Sequence, residues 1–142
     1  MPPSGALSLY ALFATVLALH LLALALWTGT VRVMRKQFVN PEDAKLNKGE
    51  STEADHPDVQ RVKRAHQNAL ENALPFFVVA YLYAGVAPSK NAALIYFGTF
   101  TAARLLHSVF YLWGRQPFRT LMFALGVAAT IGMSVHVIRT AL

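Results

Sequence analysis

ALSLYALFATVLALHLLALALWT, residues 6–28, contains no Asp, Glu, Lys or Arg. As an α-helix it would reach roughly 34 Å at about 1.5 Å per residue, enough to cross a bilayer core of about 30 Å. It is too long for the apolar part of a signal peptide, and no Lys or Arg precedes it, so a retained transmembrane helix is expected. Segments of similar character follow at 69–87, 92–113 and 118–138. The expected fold class is all-α: an integral membrane four-helix bundle. Short interruptions imply a single domain over 1–142, with helices at about 6–36, 57–87, 91–113 and 117–140 and a polar loop at about 37–56.

Composition agrees with a membrane protein. The 142 residues are 55% hydrophobic and only 14% charged, whereas soluble domains carry about a quarter charged residues. There is no cysteine, which excludes structural disulfides, thiolate catalysis by the chain itself and Cys-based metal sites. A thiol, if one reacts here, must arrive on a substrate. The five histidines lack a zinc spacing, no HExxH, Walker or GxGxxG pattern occurs, and no metal is expected.

The net charge of +6 is unevenly placed. Arg32, Arg35, Lys36, Lys45, Lys48, Arg61, Lys63 and Arg64 lie between the first two apolar runs, and Arg115 and Arg119 between the last two. The second loop carries only Lys90. The positive-inside rule then puts loops one and three in the cytoplasm and both termini outside. Charges that flank spans, without a nucleic-acid module, argue for lipid headgroups rather than nucleic acid as the wider partner.

Local signals refine the loops. Asn40, Pro41, Glu42 and Asp43 predict the start of a short surface helix. Residues 48–59, KGESTEADHPDV, read as a flexible loop, with Asp55 or Asp58 as cap and Pro57 near the start of the second long helix. Pro75 falls inside that helix, which a membrane helix tolerates. Pro117 is expected to begin the last helix. Ala128 and Gly132 form a small-xxx-small pair suited to close helix packing.

Residues 61–77, RVKRAHQNALENALPFF, carry charge into an apolar helix. Arg61, Arg64, Asn68 and Glu71 are spaced to share one face, as are Arg104, His107 and Tyr111 further on. An Arg near the bilayer centre costs roughly 2.5–3.5 kcal/mol on insertion scales, so these side chains should face the bundle interior. Glu71 could neutralise Arg64 or Arg104 and simply hold helices together. Yet Arg61, Arg64, Arg104 and Arg119 face one intramembrane acid, and the surplus positive charge suits an anionic guest from the cytoplasm. Arg32 could join the same rim. His20 and His136 stand alone on apolar runs and suit packing or interhelical hydrogen bonds. His66 points off the stripe.

The same residues carry a resemblance. FVNPEDA at 38–44, VQRVKRAHQNALENALPF at 59–76, and ARLLHSVFYL with the later QPFR at 103–119 are similar to the MAPEG family, membrane-associated proteins in eicosanoid and glutathione metabolism. Gln60 stands where the family pattern has Glu. The resemblance implies homotrimers of four-helix subunits, with glutathione bound between neighbours and open to the cytoplasm. It assigns glutathione contacts to Arg32, Arg64, Asn68, Glu71, Arg104, His107, Tyr111 and Thr120. Arg119 would be the catalytic thiolate stabiliser, and Asp43 matches an aspartate proposed to assist catalysis in the prostaglandin E synthase branch.

That branch has Ser and Tyr where this chain has Thr120 and Phe123, and an Arg where it has Gln67. Phe123 and RVKRAH are more similar to the glutathione transferase branch. The implied activity is glutathione transfer to hydrophobic electrophiles, with lipid hydroperoxide reduction as a further possibility. A prostaglandin E synthase-type isomerase and a non-catalytic lipid-binding member are the alternatives. The expected location is multi-pass, in a bacterial inner membrane or endoplasmic reticulum, with the active site on the cytoplasmic side.

Overall fold

The computed structural model describes residues 5–142; the first four residues of the N-terminal tail lie outside that range. The chain is helical almost throughout. Helix α1 runs Gly5–Arg35, the short α2 Pro41–Leu46, α3 Pro57–Gly85, α4 Lys90–Leu112 and α5 Phe118–Ala141. Strands β1 (Gln37–Phe38) and β2 (Glu50–Ser51) form a two-residue parallel ladder around α2.

The helices pack through stripes that the sequence spacing provides. On α1, Leu17, Leu24 and Val31 are buried at seven-residue intervals, and most other positions stay exposed. On α3 the buried row is Val59, Val62, Ala65, Ala69, Ala73, Phe76, Ala80 and Tyr83. Its alanines let neighbouring backbones come close, which matters where lipid removes the hydrophobic drive between helices and dispersion must hold them. Helix α3 accordingly touches α1, α4 and α5. The aromatic core forms around Phe76, stacked on Phe100 at 4.1 Å and edge-on to Phe97 at 6.0 Å. Gly132 receives the Tyr96 ring from α4, so half of the small-residue pair makes a close contact, while Ala128 is exposed.

Three helices, α1, α4 and α5, are long and apolar enough to cross a membrane. Helix α3 has 29 residues but carries Asp58, Arg61, Lys63, Arg64 and Glu71 in its first half, which lowers its hydropathy. Pro75 remains inside it. Lacking an N–H, Pro75 cannot supply the i→i−4 bond to the Glu71 carbonyl.

The polar loop departs from the expected flexible segment. Glu50 N donates to Lys36 O at 2.8 Å, Thr52 N to Phe38 O at 2.8 Å, and Gly49 N to Ala44 O at 2.9 Å. Neither Asp55 nor Asp58 caps α3. His56 does, its Nδ1 accepting from Asp58 N at 3.1 Å. Asn40 takes the predicted cap position of α2, but its amide donates to Asp43 Oδ2 at 3.1 Å instead of accepting from the helix.

Asp55 is instead a clamp. Its carboxylate accepts from Arg32 Nε at 3.0 Å, Arg32 Nη2 at 3.2 Å and Lys63 Nζ at 3.0 Å, with a side chain only 6% exposed. Gln60 Nε2 adds a bond to its backbone oxygen at 2.8 Å. The hydrogen bond from Arg32, with help from Lys63, holds the Asp55 carboxyl below its ordinary pKa against the opposing effect of burial. The native state thus prefers ionised Asp55. Its stabilisation is full above about pH 4 and fades as acidification passes the lowered native value. Asp55→Asn should therefore cost about 1–3 kcal/mol at neutral pH, read as a lower thermal unfolding midpoint in detergent. The gap from wild type should close in acid.

Candidate functional site

Three arginines converge where the start of α3, the end of α4 and the start of α5 meet. Arg61, Arg64, Tyr111, Gly114 and Arg119 line a cavity of about 180 Å³. Gly114, in the turn after α4, has φ +67°, and a Cβ there would stand 3.1 Å from Arg61 Nη1. The left-handed backbone favours glycine here, and any side chain would also press on that guanidinium.

Arg119 is held on two sides. Its guanidinium lies over the Tyr111 ring, 4.8 Å from the centroid. Assigned so that its oxygen faces the two Arg119 donors, the Gln116 amide accepts from Arg119 Nε at 3.2 Å and Nη2 at 2.7 Å, and its nitrogen donates to Thr120 Oγ1 at 3.0 Å. Thr120 therefore belongs to the support of Arg119.

Arg104 lies deeper in α4 and is 2% exposed. Its guanidinium sits 5.4 Å from the Phe123 ring centre and 6.0 Å from that of Phe100. A Cβ on Gly126 would stand 3.2 Å from Arg104 Nε, so this glycine makes room for the cation against α5. All three guanidinium nitrogens are buried without a hydrogen-bond partner among the described residues. His107 is buried beside Tyr111 and Phe123, with ring centres 5.8 and 6.2 Å away.

The other predicted residues divide. Asn68 is half-buried, its Oδ1 unpartnered among the described residues while its backbone oxygen accepts from Asn72 Nδ2 at 2.8 Å. Glu71 is exposed and accepts from Gln67 Nε2 at 2.9 Å. It forms no ion pair with Arg64 or Arg104, contrary to the simple neutralisation considered above. Arg32 and Asp43 line a different cavity of about 230 Å³ with Asp55 and Lys63, so within one chain they do not join Arg119. His20 accepts or donates to Ser108 Oγ at 2.9 Å, the interhelical bond anticipated for it.

The charge pattern is the site's main property. The ion pairs of the described residues join Arg32 and Lys63 to Asp55, and Arg35 and His56 to Asp58. Arg61, Arg64, Arg104 and Arg119 have none. Beside them, Trp27, Val31, Met34, Arg35, Asp58, Val62, Leu112 and Trp113 line a groove of about 390 Å³ that shares Arg61 with the arginine cavity. Sequence reasoning gave Gln116 no role beyond its place in the QPFR motif, three residues before Arg119, and missed Gly114 and Gly126.

Residues 10–139 match the sequence pattern of the MAPEG family. The chain is 33% identical to the Bos taurus protein named prostaglandin E synthase, over 97% of this chain and 95% of that one. It is 37% identical to the Rattus norvegicus microsomal glutathione S-transferase 1, over 92% of this chain and 87% of that one. The Homo sapiens microsomal glutathione S-transferase 1 is 34% identical, over 94% and 89%.

An unpaired buried cation costs stability that an apolar residue of similar size does not. Arg104→Met should therefore unfold in detergent at the same temperature as wild type or a few degrees higher. A drop of several degrees would mean that the guanidinium is tied to protein groups.

Proposed function

The chain belongs to the MAPEG family, and on that premise we propose that it is a membrane-bound glutathione transferase that joins the glutathione thiolate to lipophilic electrophiles. The observation that carries this is the cavity in which Arg61, Arg64 and Arg119 meet without a carboxylate. Glutathione brings two carboxylates, an ammonium and a thiol. Arg61 and Arg64, with Arg104 further along α4, match the carboxylates. Asn68 and Glu71 offer acceptors for its amide and ammonium groups.

The thiolate is the nucleophile. A free thiol of this kind has a pKa near 8.5, and a guanidinium beside it favours the anion. Each unit of lowering corresponds to about 1.4 kcal/mol. Arg suits the task because it stays charged when partly buried. Arg119 takes that role. The sulfur gives up its proton, forms a bond to the electrophilic carbon, and the leaving group departs with the electron pair. The same thiolate can attack the outer oxygen of a lipid hydroperoxide, breaking the O–O bond to release the lipid alcohol and leave a sulfenic acid, which a second glutathione converts to the disulfide with loss of water. The apolar groove that shares Arg61 with the cavity offers a path for a reactant dissolved in lipid.

Helix α3 serves as the fourth span. Glu71, Leu74, Val78 and Tyr81 lie on one exposed face at spacings of 3, 4 and 3. A carboxylate there is costly against lipid, which supports placing this face against further copies, as a homotrimer. Arg32, Asp43 and Glu71 can then complete the site of a neighbour. The basic loops set the site toward the cytoplasm. A prostaglandin E synthase-type isomerase is the second reading, favoured by the near full-length similarity to the bovine protein. Phe123, which offers Arg104 a ring and no hydroxyl, favours the transferase.

Purified protein should conjugate glutathione to a chlorinated nitrobenzene. Arg119→Ala should lower kcat/KM by roughly 10- to 100-fold at neutral pH, the scale of one or two thiol pKa units. Glu71→Gln should act chiefly by raising KM for glutathione. Glutathione binding without conjugation by wild type would favour a lipid-binding role, and no binding at all would end the proposal.

A further inference from the structure

We propose that Gln116 is a positioning residue for Arg119, and that its neutrality leaves the guanidinium charge free for an anionic sulfur. The second half rests on the transferase reading; the first stands on geometry alone. The atom of Gln116 that lies 2.7 Å from Arg119 Nη2 and 3.2 Å from Nε faces two donors, so it is the amide oxygen. The amide nitrogen then faces Thr120 Oγ1 at 3.0 Å and donates to it. One side chain thus ties together two residues of the first turn of α5.

The local backbone makes this reach possible. Arg119 N donates to Arg115 O at 3.2 Å and Leu121 N to Pro117 O at 3.1 Å. These bonds hold the entry to α5 so that positions 116, 119 and 120 share a side of the turn. Gln116 takes one N–H from Nε and one from Nη2, while Tyr111 covers a face of the plane. A guanidinium has five N–H groups, so three remain for a ligand.

The partner's charge matters as much as its position. Around Arg119 stand Arg61 and Arg64 from α3, His107 and Tyr111 from α4, and Arg115 in the preceding turn. None is a carboxylate. An acid at 116 would orient Arg119 equally well but would offset its field. A neutral amide orients the cation and leaves the field intact.

The test uses the full chain in detergent, as wild type, Gln116→Ala and Gln116→Glu, with thermal midpoints checked for folding. The first readout needs no glutathione: the rate at which an arginine-selective dicarbonyl modifies Arg119, followed by peptide mass spectrometry. Gln116→Ala should speed modification several-fold, and Gln116→Glu should slow it. The second is the ultraviolet thiolate absorbance of bound glutathione against pH. Gln116→Glu should raise the midpoint by about one unit, with about tenfold less thiolate and tenfold slower conjugation on the acid side. Raising the pH should restore the rate. Unchanged Arg119 modification in Gln116→Ala overturns the positioning role. An unchanged midpoint in Gln116→Glu overturns the role of neutrality. A wild-type midpoint equal to that of free glutathione overturns the transferase reading and the neutrality claim with it, while the dicarbonyl rates still decide the positioning role.

Discussion

Positive charge without a carboxylate partner, gathered where α3, α4 and α5 meet, is the constraint around which the molecule is arranged. Arg61, Arg64 and Arg119 share one cavity, and Arg104 is buried further along α4. The acids that could have neutralised them are engaged elsewhere. Asp55 takes Arg32 and Lys63, Asp58 takes Arg35, and Glu71 faces outward with Gln67. Charge is partitioned: the polar loop is closed by ion pairs, and the neighbouring helical cavity keeps a cationic excess. A cluster of like charges is unfavourable by itself; Arg61 and Arg64 are exposed and Arg119 half-buried, where solvent and salt screen the repulsion, and only Arg104 is held by packing.

Small residues provide that packing. Gly114 admits Arg61, and Gly126 admits Arg104. The alanine row of α3 lets three helices close around it. Aromatic rings do the rest, since Tyr111 supports Arg119, and Phe100 and Phe123 lie against Arg104. Aromatic faces attract a guanidinium without removing its charge. The means of holding these cations are therefore neutral throughout: rings, glycines and the Gln116 amide. Such a setting suits chemistry in which an anion must be made and kept, as in the transferase role proposed above.

The clamp at Asp55 links the site to the loop. By bonding Arg32 on α1 and Lys63 on α3, it joins two helices at the same end as the arginine cavity. The β1–β2 ladder and His56 cap add local order. In this way a segment rich in charge and poor in apolar residues is anchored without a core of its own.

Much of the architecture was legible along the chain. The apolar run at 6–28, the start of α2 at Asn40 and the unusual arginines in apolar surroundings all follow from composition and spacing, which are properties of neighbouring residues; the α3 face expected to turn inward does not, since Arg61, Arg64 and Glu71 are exposed and the valine and alanine row is buried instead. Family motifs added the expected roles of Arg119 and its companions. What the chain could not show was which charged groups meet. Arg32 finds Asp55, 23 positions away, and His20 finds Ser108, 88 positions away, because helix rotation and register set those pairs. The same holds for Gln116 turned onto Arg119, for Gly126 under Arg104, and for the separation of Arg32 and Asp43 from Arg119. Helical periodicity determines which face a side chain occupies; only the packing of one helix on another decides what that face meets.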